Sequence, residues 1–162
     1  RSSAESVAYF MLSLIPARFA VMVLFVVACF VSIAMGTSVG TITLIVPIAA
    51  AVSDASGFGL PLCIGSVMGG AMFGDNLSFI SDTTIAACNG QGCQMKDKFR
   101  ENFFIALPAA VMTLVVIAIL SFRTDIAGAV SQEYHLLQIV PYILVLIGGI
   151  AGINVFVATL VA

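Results

Sequence analysis

The sequence predicts an all-α, polytopic membrane protein, and three observations support this fold class. Of the 162 residues, 61% are hydrophobic and 9% are charged, with a mean hydropathy of +1.18, whereas a soluble domain carries about 25% charged residues. Apolar runs recur along the whole chain. The polar stretches that interrupt two of them carry hydroxyls, glycines and a few carboxylates. At roughly 20 residues for each crossing, the chain has room for about four to six passes.

Six apolar segments are predicted to form spans or half-spans of a single transmembrane domain that covers residues 1–162. They are residues 19–35, 42–52, 60–73, 83–88, 102–122 and 137–162. Residues 1–18 are expected to form an interfacial helix or the end of an earlier span. The chain begins with Arg1 and stops inside an apolar run, so we expect it to be a piece of a longer protein.

The first polar interruption is the stretch Gly36-Thr37-Ser38-Val39-Gly40-Thr41. The apolar runs on its two sides are together too long for one crossing, and its glycines allow the backbone to leave helical geometry. We therefore predict a hairpin or a broken helix, with residues 36–41 non-helical and buried in protein, because lipid cannot satisfy free peptide groups. The alternative is an ordinary turn outside the membrane, although such turns usually carry charges.

The second interruption, residues 74–84, sets Asp75 and Asp82 between apolar runs. An ionisable side chain at membrane depth costs about 3 kcal/mol on insertion scales and usually has a function. Seven residues apart, the two carboxylates would share one face of a continuous helix. The alternative is a structural turn capped by Asp and Thr. The absence of a neighbouring Arg or Lys in the sequence makes that alternative less attractive.

Two interrupted apolar segments are typical of secondary transporters, in which the free ends of broken helices meet at the membrane midplane. Carboxylates, hydroxyls and unwound carbonyls are hard oxygen ligands that suit a hard cation. In a low-dielectric site, desolvation and a neighbouring charge both favour the protonated carboxyl, and a bound sodium ion reverses that preference. Such a site holds either a proton or a cation, and this competition is the basis of exchange.

These two stretches, together with Pro47-Ile48-Ala49, resemble the paired signatures of the NhaC family of sodium/proton antiporters. The resemblance continues through residues 96–100 and 148–154. It implies a secondary antiporter with no enzymatic activity and no cofactor, for which sodium and the proton are substrates. The residues that it assigns to the sodium/proton site are Asp75 and Asp82, with Ser78, Thr83, Thr37 and Ser38 as supporting oxygens.

Members of that family are more than twice as long and are thought to contain two inverted repeats. The resemblance therefore implies that this chain is a C-terminal portion, one half of an inverted-repeat transporter with broken or re-entrant helices. A complete pathway would need the remainder of the transporter or a second copy as partner. Two other functions stay open: a sodium-coupled symporter of a small organic anion, and a membrane assembly subunit that does not transport.

Charge placement predicts the orientation in the membrane. The basic cluster lies in the loop of residues 89–101, which the positive-inside rule places in the cytoplasm, with residues 123–133 outside. We therefore expect a multi-pass protein of the inner (cytoplasmic) membrane with the lipid bilayer as a partner. The net charge of −2 and the lack of a basic stripe speak against nucleic-acid binding. Cys88 and Cys93 flank a glycine-containing loop, but a reducing cytoplasm argues against a structural disulfide between them.

Overall fold

The computed structural model describes residues 15–124, and within them the protein is entirely helical. A short 3-10 turn at Ala17–Phe19 is followed by five α-helices: α1 (Ala20–Met35), α2 (Ser38–Ser56), α3 (Leu60–Leu77), α4 (Asp82–Gln91) and α5 (Met95–Arg123). The all-α prediction is confirmed for this part of the chain. The predicted span at 137–162 and the predicted outer loop at 125–133 lie outside the described residues.

Helices α2 and α5 are long and apolar enough to cross a membrane. Helix α1 is also apolar but has only 16 residues. Helix α4 has ten residues, about 15 Å at 1.5 Å per residue, which is too short to cross. The basic residues that the sequence places in a loop are instead in the first turns of α5, and the connection between α4 and α5 is reduced to residues 92–94.

Helices α1 and α3 run parallel in a fixed register. Gly70 of α3 lies against the carbonyl oxygen of Phe25, and Gly74 lies against the carbonyl oxygen of Cys29. Just beyond α3, the Ser78 hydroxyl donates to the carbonyl of Ile33 at 2.8 Å. Each of these residues follows its α1 neighbour by the same 45 positions, so the two helices point in the same direction.

The close approach of α1 and α3 depends on small residues. A Cβ atom added to Gly70 or Gly74 would overlap the α1 backbone, so the two helices touch main chain to main chain. The Ser32 hydroxyl of α1 donates to the carbonyl of Ala71 at 2.6 Å across this contact. Small residues spaced four apart allow this kind of approach. By contrast, Gly65 has no atom within 4 Å of an added Cβ.

Helix α2 returns antiparallel between the end of α1 and the start of α3. Its Ile45, Ala49 and Val52 are buried in one apolar core with residues of α1 and α3. Residues 36–41 therefore join two antiparallel helices and do not break a single one. The prediction that all six residues are non-helical is wrong, because Ser38 already begins α2.

The α1–α2 turn is short because its residues serve as caps. Gly36 has a φ of +68° and ends α1, and Thr37 is extended and caps α2, with its side chain accepting from the N–H of Gly40. Gly36 is the residue that tolerates this left-handed conformation. The burial prediction holds for Gly36 and Thr41 but not for Val39, which is 69% exposed.

Helix α5 is antiparallel to α1 and α3. At its C-terminal end, the ring of Phe122 contacts Phe19 at 5.9 Å between centroids, and at its N-terminal end Lys98 reaches the carbonyl of Asn76. One end of the bundle therefore collects the α1–α2 turn, the α3–α4 loop at residues 78–81, helix α4 and the first turns of α5. We call this the polar end. The two interruptions lie here, at the ends of helices, and not part-way along them as the broken-helix expectation required.

Candidate functional site

The two interruptions are in direct contact at the polar end. An added Cβ at Gly36 would lie 2.8 Å from Cγ1 of Ile80 and 2.9 Å from its carbonyl oxygen. The α1–α2 turn thus packs directly against the side chain and the main chain of Ile80 in the α3–α4 loop. Any group in one turn is held in place relative to the other.

The α3–α4 loop is held by its own buried hydroxyls. Ser78 donates to the carbonyl of Ile33 and accepts from the N–H of Ile80 at 3.3 Å. Ser81 is also buried and shares a hydrogen bond with the exposed Thr83 at 3.0 Å. The Ser78 hydroxyl group therefore already takes part in two hydrogen bonds within the protein.

Asp75 lies in the last turn of α3, one turn above the fully buried Ala71. Its side chain is half-buried, and its Oδ1 atom is buried with no hydrogen-bond partner in the described part of the chain. A buried polar atom is nearly always paired, and an ionised carboxylate left unpaired in the interior costs several kcal/mol. The Oδ1 atom of Asp75 therefore lacks a partner that residues 15–124 could supply.

Asp82 is in a different environment. It is the first residue of α4 and is exposed. Residues 78–81 separate α3 from α4, so Asp75 and Asp82 do not share the face of one continuous helix. The expectation of two buried carboxylates is thus not met by Asp82 within the described residues.

The two hydroxyl residues predicted from the first interruption lie at the start of α2. Thr37 and Ser38 are half-buried, and the Thr37 carbonyl accepts from the Thr41 hydroxyl at 2.9 Å. Because α2 is antiparallel to α3, its first turn lies at the level of the last turn of α3. The fold therefore brings Thr37, Ser38 and Ser78 to the same end as Asp75, with Asp82 and Thr83 on the exposed side.

Lys98 is the residue that sequence reasoning missed. Its ammonium group donates to the carbonyl of Asn76 and to the hydroxyl of Thr84 at 3.2 Å, and Asn102 also donates to Asn76 at 3.4 Å. Lys98 thus joins the C-terminal end of α3 to α4 and α5. The last carbonyls of a helix lack partners within it, and Lys98 and Asn102 are spaced four apart on one face of α5. This four-residue spacing is the sequence feature that could have indicated a contact between α5 and the end of α3.

An aromatic contact also holds the α3–α4 loop to α5. The ring of Phe79 stacks on Phe99 at 4.3 Å with an interplanar angle of 21°, and Phe99 lies 6.2 Å from Phe103. Offset stacking of this kind adds roughly 0.5–1.5 kcal/mol to the burial of the rings. The loop beside Asp75 is therefore positioned from two sides, by α1 through Ser78 and by α5 through Phe79.

Comparison with known proteins identifies the family. A model described as the Na+/H+ antiporter family matches residues 6–122. The chain belongs to this family. An uncharacterized protein from Haemophilus influenzae is 33% identical over 128 residues, which are 78% of this chain and 25% of that protein. The malate-2H(+)/Na(+)-lactate antiporter of Bacillus subtilis is 26% identical over 135 residues, which are 75% of this chain and 29% of that protein.

The family is described as one of Na+/H+ antiporters, which are membrane transporters, and the Bacillus subtilis relative is also named an antiporter. The chain spans only about a quarter of the length of these two relatives. No solved structure matches it.

Proposed function

We propose that this chain forms part of a sodium/proton antiporter of the NhaC type in the cytoplasmic membrane, and that Asp75 is the carboxylate for which sodium and protons compete. The observation that carries the proposal is the buried Oδ1 atom of Asp75, which has no partner among the described residues. It lies at the end of the bundle where the two signature stretches meet.

Competition at Asp75 follows from the cost of its unpaired charge. A proton removes the charge, and a sodium ion balances it, so either one relieves the cost of burial. Both cannot bind the same oxygens comfortably. The protein therefore releases a proton when it takes up sodium, and release of sodium allows the proton to return.

The remaining ligands would be oxygens, which suit a hard cation. Ser78, Thr37 and Ser38 supply hydroxyls at the same end of the bundle, and the turns supply main-chain carbonyls. Asp82 and Thr83, on the exposed side of the loop, would attract the cation and complete the site once other protein covers them. Because the chain spans about a quarter of its relatives, we propose that the rest of the transporter, or a second copy, provides that cover.

A second candidate is a sodium- and proton-coupled exchanger of small organic carboxylates. The name of the Bacillus subtilis relative includes malate and lactate. An anion needs a cationic partner or a helix N-terminus. The polar end has such a cation in Lys98, whose ammonium group also donates to Asn76 and Thr84.

Transport by the full-length protein in proteoliposomes tests both candidates. We expect a sodium gradient to drive proton movement without any added carboxylate, and we expect Asp75→Asn to abolish it. The matched control is Asp54→Asn, which changes an exposed carboxylate in the last turn of α2, at the opposite end of that helix. Sodium-driven proton movement that requires malate or lactate would favour the second candidate. Normal exchange in Asp75→Asn would show that the site is wrongly assigned.

A further inference from the structure

Helix α4 ends in a turn that brings two cysteines together. Gly92 has a φ of +67°, and its N–H donates to the carbonyl of Asn89 at 3.4 Å, while the N–H of Cys93 donates to the carbonyl of Cys88 at 3.1 Å. This pair of hydrogen bonds defines the Schellman motif, in which the residue after the left-handed glycine packs against the residue five positions earlier. Here both contacting residues are cysteines.

The two side chains interact but differ in access to solvent. Cys88 is 2% exposed, Cys93 is exposed, and the Cys93 Sγ lies 3.8 Å from the carbonyl of Cys88. Burial and the neighbouring Cys93 thiol raise the pKa of the Cys88 thiol, and Lys98 opposes them. The hydrogen bond between their main chains is compatible with the Cα separation of roughly 4.4–6.8 Å that a disulfide requires. Both thiols are free in the structure.

We propose that Cys88 and Cys93 form a dithiol modification site that small-molecule disulfides oxidise reversibly. The thiolate of the exposed Cys93 attacks one sulfur of the small disulfide, which forms a mixed disulfide and releases one thiol. The thiolate of Cys88 then attacks the Cys93 sulfur, forms the Cys88–Cys93 bond and releases the second thiol. Two protein thiols are oxidised, one small disulfide is reduced to two thiols, and each protein thiol loses one proton.

The placement of the pair favours a reversible site over a structural disulfide. The attacking thiol is exposed and the second thiol is held beside it, as in thiols that respond to redox conditions. The ring closed by the bond contains only the short turn of residues 88–93, so it constrains the unfolded chain less than a long loop would. Cys29 and Cys63 are buried in the apolar core and serve as internal comparisons.

Oxidised glutathione is a suitable probe for the full-length protein, with peptide masses as the readout. We expect the wild type to gain a Cys88–Cys93 disulfide and no retained glutathione, with Cys29 and Cys63 unmodified. The double variant Cys29→Ser/Cys63→Ser should behave in the same way. Cys88→Ser should retain one glutathione on Cys93, because the second step is lost. If the Cys88→Ser variant fails to fold, Cys88→Ala serves for the same test.

Cys93→Ser changes an exposed residue and tests the order of the two steps. We expect Cys88 to stay unmodified in this variant. Retention of glutathione on Cys93 in the wild type, without closure, would overturn the proposal, as would modification of Cys88 at the wild-type rate in Cys93→Ser. None of these outcomes depends on which ion the protein transports.

Discussion

The Ser78 hydroxyl donates to the carbonyl oxygen of Ile33 at 2.8 Å, from the α3–α4 loop to the last turn of α1. That carbonyl is one of the four that a helix leaves without an internal partner at its C-terminal end. The Ser78 side chain thus caps the C-terminal end of α1 and holds the loop that follows Asp75 in place. The bond is also one of the three contacts that define the α1/α3 register.

Ser78→Ala should destabilise the protein because it leaves the partly buried carbonyl of Ile33 without its donor, at a cost of about 1–3 kcal/mol. Ser121→Ala is the matched control, since Ser121 is equally buried but its hydroxyl has no partner among residues 15–124. Denaturant or thermal unfolding in detergent measures both variants. Equal losses of stability would show that the Ser78 hydrogen bond contributes nothing.

Gly74→Ala should be strongly destabilising because its Cβ would overlap the carbonyl of Cys29 and lie 2.7 Å from the Cβ of Ser32. Overpacking of this kind costs about 1–3 kcal/mol or more. Gly65→Ala, in the same helix, meets no atom within 4 Å and should be neutral or stabilising by up to about 1 kcal/mol. Unfolding of the two variants under the same conditions separates these effects. A small loss of stability in Gly74→Ala would contradict the close contact between α1 and α3.

Sodium should raise the thermal stability of the wild-type protein, because a ligand that binds only the folded state stabilises it in proportion to RT ln(1 + [L]/Kd). At a sodium concentration about 100 times Kd this amounts to roughly 2.7 kcal/mol. Asp75→Asn should lose the sodium effect, whereas Asp54→Asn should retain it. A salt of a large organic cation at the same ionic strength controls for screening. A sodium effect that survives in Asp75→Asn would place the ion elsewhere.

Lys98→Met should loosen α4, because it removes the donor to Thr84 and to the C-terminal end of α3. We expect faster amide hydrogen exchange in α4, with α1 and α3 unchanged, since the loss is local. Lys96→Met makes the same change of charge at an exposed position two residues away. Equal rates of amide hydrogen exchange in α4 of the two variants would show that the lost charge, and not the lost hydrogen bonds, causes the change.

Composition and apolar runs were sufficient to predict a helical membrane protein, because lipid leaves helices as one of only two spanning structures. The hairpin at Gly36 was also predictable in outline, since a left-handed glycine followed by a capping threonine both ends one helix and starts the next. The length of the non-helical segment was not. The two glycines were expected to take residues 36–41 out of helical geometry, but only Gly36 and Thr37 leave it, and residues 38–41 form the first turn of α2.

The site was less predictable than the fold, because its environment comes from residues distant in sequence. Asp75 and Asp82 have similar neighbours along the chain, yet the first is half-buried and the second is exposed. Lys98 is 22 residues from Asn76, so no local pattern near the carboxylates reveals it. The contact between Cys88 and Cys93 was predictable from their spacing of five residues, provided that Gly92 was identified as the residue that ends α4.

The glycine contact between α1 and α3 has a mechanical consequence. The two parallel helices touch main chain to main chain at Gly70 and Gly74, and the Ser32 hydroxyl donates across the contact to Ala71. A relative shift of the helices would have to break these contacts. Ile80 contacts Gly36 just beyond the end of the contact between α1 and α3. We therefore expect α1, α3 and the two turns at their ends to move as one rigid unit in the exchange cycle proposed for Asp75.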